Sequence, residues 1–202
     1  MKKQSLAILV IVIFNSFSLY SQSDTTLVRL KDIDPSFRYD VRYATINNFT
    51  GKILYPSSEV YLRKKVADRL SEAQAFVKML GFRLKVYDGY RPLSIQKILW
   101  DATKEKKYVA NPATGSKHNR GAAVDVTLVD AKGKELDMGS EFDSFSEMSN
   151  SDAKGLSEQV QKNRDVLTSA MQMFGFTPNP KEWWHFDFEE WKKFTVSDWK
   201  WW

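Results

Sequence analysis

Residues 116–128 read Ser-Lys-His-Asn-Arg-Gly-Ala-Ala-Val-Asp-Val-Thr-Leu. The first half continues a stretch from Ala110 that is rich in Asn, Pro, Gly and Ser, and predicts a loop. From Ala122 onward, small and β-branched residues predict a strand with Val124, Val126 and Leu128 on one face. Asp125 then points to the opposite face, an ionisable group in an apolar run. The loop before it carries His118, one of two histidines in a chain with no cysteine.

Working outward, Phe82, Leu84 and Val86 alternate with polar residues, and the strand they predict ends in the turn Asp88-Gly89-Tyr90-Arg91-Pro92. Upstream, Leu62, Val66, Leu70, Ala73, Val77 and Leu80 recur at helical spacing, with Ser58 as N-cap and Gly81 as the stop. Phe37 to Tyr43 alternates and reads as a further strand. Ile95, Leu99 and Ala102 mark a short helix, and Val160 to Phe174 a later one ending near Gly175. Between them, Asp130 to Gly155 is polar and broken by glycine, which predicts a long functional loop. Trp184-His185-Phe186-Asp187-Phe188 alternates so that His185 and Asp187 oppose three aromatic rings. Interspersed strands and helices without a repeat predict a single compact α+β domain.

Met1-Lys2-Lys3 followed by the apolar run Leu6 to Phe14 and a small, polar stretch has the layout of a secretory signal peptide, residues 1–21. Residues 22–202 then form the mature domain, exported to the periplasm or outside the cell. The apolar run is too short to cross a bilayer, which takes about 20 residues, so no stable membrane anchor is predicted. The mature chain keeps 28 basic and 25 acidic residues, a net charge of +3 with no basic block, which argues against a nucleic-acid partner. Without cysteine, disulfides, zinc fingers and thiol catalysis are excluded. The C-terminal Trp191, Trp199, Trp201 and Trp202, interleaved with lysines, read as packing with a frayed end rather than a wall or membrane contact.

Two imidazoles, His118 and His185, plus the Asp125 carboxylate would make a catalytic zinc site with an open fourth position. Glu182 lies three residues before His185, which on a straight strand puts the two on opposite faces. We therefore expect Glu182 on the turn after Pro180, beside the site, where it could serve as the base a metallopeptidase requires. The same residues also fit a solvated loop histidine, an ion-paired aspartate and a surface glutamate. Spacing by itself leaves both readings open.

Ser116-Lys117-His118-Asn119-Arg120-Gly121-Ala122-Ala123-Val124-Asp125 resembles the Ser-x-His-x-x-Gly-x-Ala-x-Asp signature of bacterial zinc D,D-peptidases, and Glu182-Trp183-Trp184-His185 resembles their second motif. Arg42-Tyr43-Ala44-Thr45, Asn48-Phe49-Thr50-Gly51, Asp88 to Pro92, Met138-Gly139-Ser140 and Phe142-Asp143 extend the likeness over residues 33 to 190. Within that group the chain is similar to the D-alanyl-D-alanine dipeptidases of the vancomycin-resistance (VanX-like) type, related in fold to D-Ala-D-Ala carboxypeptidases and the hedgehog signalling domain.

The resemblance implies a central antiparallel sheet with flanking helices, and one Zn2+ per chain held by His118, Asp125 and His185. It implies Glu182 as general base and Arg91 as the group stabilising the oxyanion. It also implies that Asp143, helped by Ser116 and Tyr43, accepts the ammonium group of a free D-Ala-D-Ala dipeptide. Two alternative readings keep the zinc site: an exported D,D- or L,D-carboxypeptidase or endopeptidase acting on peptidoglycan stem peptides or fragments, and a catalytically silent zinc-containing binding module. The chain departs from the family pattern in two places, one of them the C-terminal stretch of Trp191, Trp199, Trp201 and Trp202 with its lysines. At the other, many relatives carry a histidine shortly after the Phe-Asp segment, where this chain has Met148-Ser149-Asn150.

Overall fold

The computed structural model describes residues 23–202; the predicted leader, residues 1–21, lies outside the described residues. In chain order the elements are β1 (Leu27–Arg29), α1 (Leu30–Ile33), β2 (Arg38–Tyr39), β3 (Tyr61–Arg63), α2 (Lys64–Met79), β4 (Arg83–Asp88), α3 (Leu93–Ala102), β5 (Ala123–Val129), α4 (Glu158–Met173), β6 (Phe176–Asn179) and β7 (Glu182–Phe188). Five strands form one sheet in the order β2-β4-β5-β7-β6, with the Asp125 strand β5 at its centre. Strand β2 pairs parallel to β4 and every other pairing in this sheet is antiparallel. The fold is thus α+β as expected, with a mixed sheet in place of a purely antiparallel one. β1 and β3 form a separate antiparallel pair.

The helices cover the apolar side. Val66, Leu70, Ala73 and Val77 of α2 are fully buried, and Leu167, Ala170 and Met171 of α4 join them in one core with Leu84, Val86, Val124, Val126, Leu128 and Phe186. Each such aliphatic side chain contributes about 1.5–3 kcal/mol of burial free energy. Helix α4 starts at a side-chain cap, with the Ser157 hydroxyl accepting the Val160 N–H. Among the described residues no helix is long and apolar enough to cross a membrane.

Several expectations are corrected. The predicted strand Phe37 to Tyr43 pairs only at Arg38–Tyr39, and Arg42–Ala44 is a 3₁₀ turn. The ladder to β4 ends after the Asp40 N–H reaches Val86 O. Helix α2 begins after Arg63 rather than near Ser58, because Tyr61–Arg63 is held in the pairing with β1. The packing expected of the C-terminal tryptophans is present. Trp199 and Trp201 both pack edge-on or tilted against Tyr61 and Tyr90, and Trp201 also meets Tyr55.

Candidate active site

The sheet register aligns the polar side chains. Asp125 of β5 is directly opposite His185 of β7 on one side and Asp88 of β4 on the other. Asp88 reaches this row through the irregularity after Val86, since an uninterrupted alternation would have placed Tyr87 there. His118 arrives from the loop before β5, in a 3₁₀ turn closed by Gly121 at φ 67°. A Cβ at Gly121 would sit 2.7 Å from Leu27 Cδ2, so glycine is required for conformation and space alike.

His118 Nε2 lies 3.1 Å from His185 Nδ1. Asp125 Oδ1 lies 3.1 Å from His185 Nδ1 and 3.4 Å from His118 Nε2. All three residues are at most 8% exposed. The outer ring nitrogens are committed: His118 Nδ1 is 2.7 Å from Gly89 O and His185 Nε2 is 2.9 Å from Asp187 Oδ1. A neutral ring donating there turns its remaining lone pair toward the shared centre. Asp125 Oδ1 is buried beside both nitrogens yet makes no hydrogen bond. Three inward-facing acceptors repel one another unless a cation lies between them. Tetrahedral zinc with ligand bonds of 2.0–2.2 Å sets its ligand atoms about 3.3 Å apart, matching the observed triangle. The donor set, two imidazoles and a carboxylate, suits zinc as well.

Without a metal, the same carboxylates favour a proton on His185. Burial disfavours a charged His185, but the Asp125 and Asp187 carboxylates override it and raise the imidazole to about 10. Burial likewise works against an ionised Asp125, yet the two imidazoles hold its carboxyl well below the usual range. Lys117 Nζ donates to Asp187 Oδ2 at 2.9 Å and so anchors the partner of His185 in turn.

Glu182 is the first residue of β7, directly after the turn at Pro180 and Lys181, rather than on the turn itself. The β6–β7 register shifts so that Pro178 pairs with Phe186 but Asn179 pairs with Glu182, and the strand absorbs the intervening residues there. That irregularity overcomes the opposite-face problem. Glu182 Oε2 sits 3.7 Å from His185 Nδ1 and accepts from Asn179 Nδ2 at 2.9 Å. Burial, reinforced by Asp125 and opposed by His185, raises Glu182 to about 7.

Arg91 is buried. Its Nε and Nη2 donate to Asp88 Oδ2 at 3.0 and 2.7 Å, and its Nη1 to Gln96 Oε1 at 2.9 Å. A guanidinium has five N–H donors, so one on each terminal nitrogen is left over, and Nη2 lies 4.0 Å from Asp125 Oδ2. Asp88 is held by Tyr55 Oη and the Gly89 N–H. Asn119 ties the two turns together, its Nδ2 donating to Arg91 O and its Oδ1 accepting from the Ser116 N–H.

Asp143 has φ 59°, a left-handed conformation that Asp tolerates better than most residues. Tyr43 Oη donates to its Oδ2 at 3.0 Å, and burial, with Asp125 nearby, raises its carboxyl well above the usual value. The Ser116 hydroxyl accepts the His118 N–H, and no hydrogen bond joins it to Asp143. All eight residues singled out in the sequence line one cavity of about 350 Å³, at the small end for ligand sites. Phe145 stacks on Tyr108 and meets Phe49 at a tilt along one wall of it. The sequence did not single out Gln96, which lies in no motif, and gave no role to Asn119, Asp88 and Asp187, although all three lie in quoted segments.

The family described as D-ala-D-ala dipeptidase (Peptidase_M15) matches residues 23–195. The chain is 38% identical to the D-alanyl-D-alanine dipeptidase of Escherichia coli (strain K12) over 166 residues, covering 82% of this chain and 86% of that one. Against the D-alanyl-D-alanine dipeptidase of Enterococcus faecalis (strain ATCC 700802 / V583) the identity is 38% over 170 residues, covering 74% and 84%. With the protein of that name from Enterococcus faecium it is 34%, covering 78% and 88%.

Proposed function

Because the chain belongs to the D-Ala-D-Ala dipeptidase family of M15 metallopeptidases, we propose that it is an exported zinc D,D-dipeptidase that hydrolyses free D-Ala-D-Ala. The convergence of His118 Nε2, His185 Nδ1 and Asp125 Oδ1 inside one small cavity carries this reading. Export rests on the leader pattern of residues 1–21.

A bound zinc ion supplies Lewis acidity and brings water to near-neutral acidity, about pKa 7. His118, Asp125 and His185 would hold it. Glu182 Oε2, beside His185, takes the proton of the attacking water and returns it to the departing amine. A carboxyl near 7 suits both transfers, since donor and acceptor strength are then balanced at neutral pH. The two free Arg91 donors face the scissile carbonyl, where negative charge develops. Asp88 and Gln96 fix the guanidinium beforehand, so little reorganisation accompanies the reaction. Asp143 and Tyr43 accept the substrate ammonium. An ammonium offsets the burial of Asp143, whereas an acylated amine leaves that carboxylate unpaired, which favours free dipeptides over blocked or longer peptides.

A comparison of free D-Ala-D-Ala with its N-acetyl form tests this reading. A large preference for the free dipeptide is expected. Equal rates would contradict the ammonium anchor and point to stem peptides of peptidoglycan as substrates.

A further inference from the structure

The family match ends at residue 195, but the chain continues along the back of the site. Ser197 lies between the two turns that carry Arg91 and His118. Its N–H donates to Asn119 O at 2.9 Å, its carbonyl accepts the Leu93 N–H at 3.2 Å, and its hydroxyl is 3.1 Å from Tyr90 Oη. Tyr90 Oη also donates to Trp199 O at 2.9 Å. Asp198 Oδ1 accepts the Ser94 N–H at 2.7 Å, in the first turn of α3. The N-cap of that helix is Pro92, which makes no side-chain cap, so an acceptor about a hundred residues away supplies one. Helix α3 carries Gln96, which orients Arg91. Val196 packs over Gly115, where an added Cβ would meet its Cγ2 at 2.6 Å. The rings of Trp199 and Trp201 pin the segment against Tyr61 and Tyr90.

We propose that residues 196–202 are a positioning strap that stitches the Arg91 turn to the His118 turn and so sets Arg91 against the metal site. Ser197 and Asp198 act through Asn119, Tyr90 and the start of α3, and touch neither substrate nor metal. The proposal rests on the roles given above to Arg91 and His118.

Its test removes residues 196–202 and follows zinc release to a chromophoric chelator, a readout independent of the substrate. Release at least tenfold faster than from the full chain is expected, with recovery when a peptide spanning residues 195–202 is added. On D-Ala-D-Ala the deletion and Asp198→Ala should each lower kcat at least fivefold with KM within twofold. Asp198→Asn, which keeps an acceptor oxygen, should recover most of that loss, and Lys200→Ala should change neither constant. Full-chain zinc release and kcat in the deletion overturn the strap. If the deletion fails to fold, the same result from Asp198→Ala and Ser197→Ala overturns it. Faster zinc release from the deletion, with no hydrolysis even by the full chain, would instead sink the substrate reading and support the strap.

Discussion

Asp125 Oδ1 lies 3.1 Å from His185 Nδ1 and makes no hydrogen bond to it. Both atoms aim at a point they share with His118 Nε2, an arrangement that could hold a metal ion. The two histidines of the chain are both spent here, so no other imidazole can substitute.

His118→Ala and His185→Ala should each abolish stoichiometric zinc binding, and zinc should raise the melting temperature of the unaltered protein but not of either variant. Asp187→Ala removes only the carboxylate behind His185 and should weaken zinc affinity by about 10–100-fold. Zinc titration by calorimetry reads all three. Undiminished affinity in His118→Ala would remove the metal site.

Glu182→Ala should keep its zinc and lose about 10²–10⁴ in kcat, the usual worth of a positioned general base. Metal analysis beside steady-state kinetics separates the two effects. A variant that loses zinc together with activity would mark Glu182 as a ligand instead.

Arg91→Lys should lower kcat by about 10²–10³, corresponding to about 3–4 kcal/mol of lost oxyanion stabilisation. Lysine cannot satisfy Asp88 and Gln96 while leaving donors free. Arg91→Ala should also destabilise the fold by about 3–5 kcal/mol, because Asp88 is left buried without its partner. Denaturant midpoints measured beside kcat would expose an arginine whose role is only structural, through stability loss in Arg91→Lys without the drop in kcat.

Asp143→Asn should raise KM for the free dipeptide by about 10–100-fold, the worth of a lost charge-assisted hydrogen bond, and leave zinc binding intact. The pH dependence follows from the raised carboxyl. The folded, substrate-free protein keeps the Asp143 proton above the pH at which an unfolded aspartate loses it. This group therefore favours folding in acid and loses that contribution as pH rises through its folded pKa. Substrate binding needs the ionised form, so KM should climb as pH falls, and Asp143→Asn should flatten that slope. An unchanged pH profile in the variant would exclude Asp143 as the anchor.

The strands and helices that carry strong periodicity were legible in the sequence: β5 from Val124, Val126 and Leu128, α2 from Val66 to Val77, and β7 around His185. Short paired segments were not. Tyr61–Arg63 has too few residues to show a period, and Leu62 fits a helical and a strand pattern equally well. The alternation of Phe37 to Tyr43 tracks burial rather than pairing, since Phe37, Val41 and Tyr43 are buried although the ladder stops at Tyr39. Within the site, residues of a motif could be named, but the register shifts that move Asp88 and Glu182 onto the working face arise from pairing with other strands. The support from Gln96, Asn119 and Ser197 is likewise tertiary. Their partners are distant in sequence, and amide or hydroxyl side chains carry no local signature of that role.

The decisive measurement is D-alanine release from free D-Ala-D-Ala by residues 22–202, before and after removal of zinc by a chelator and again after zinc is restored. Turnover near neutral pH that disappears with the metal and returns with it is the expected result. A zinc-loaded, folded protein that leaves the dipeptide intact across neutral pH would contradict the assignment.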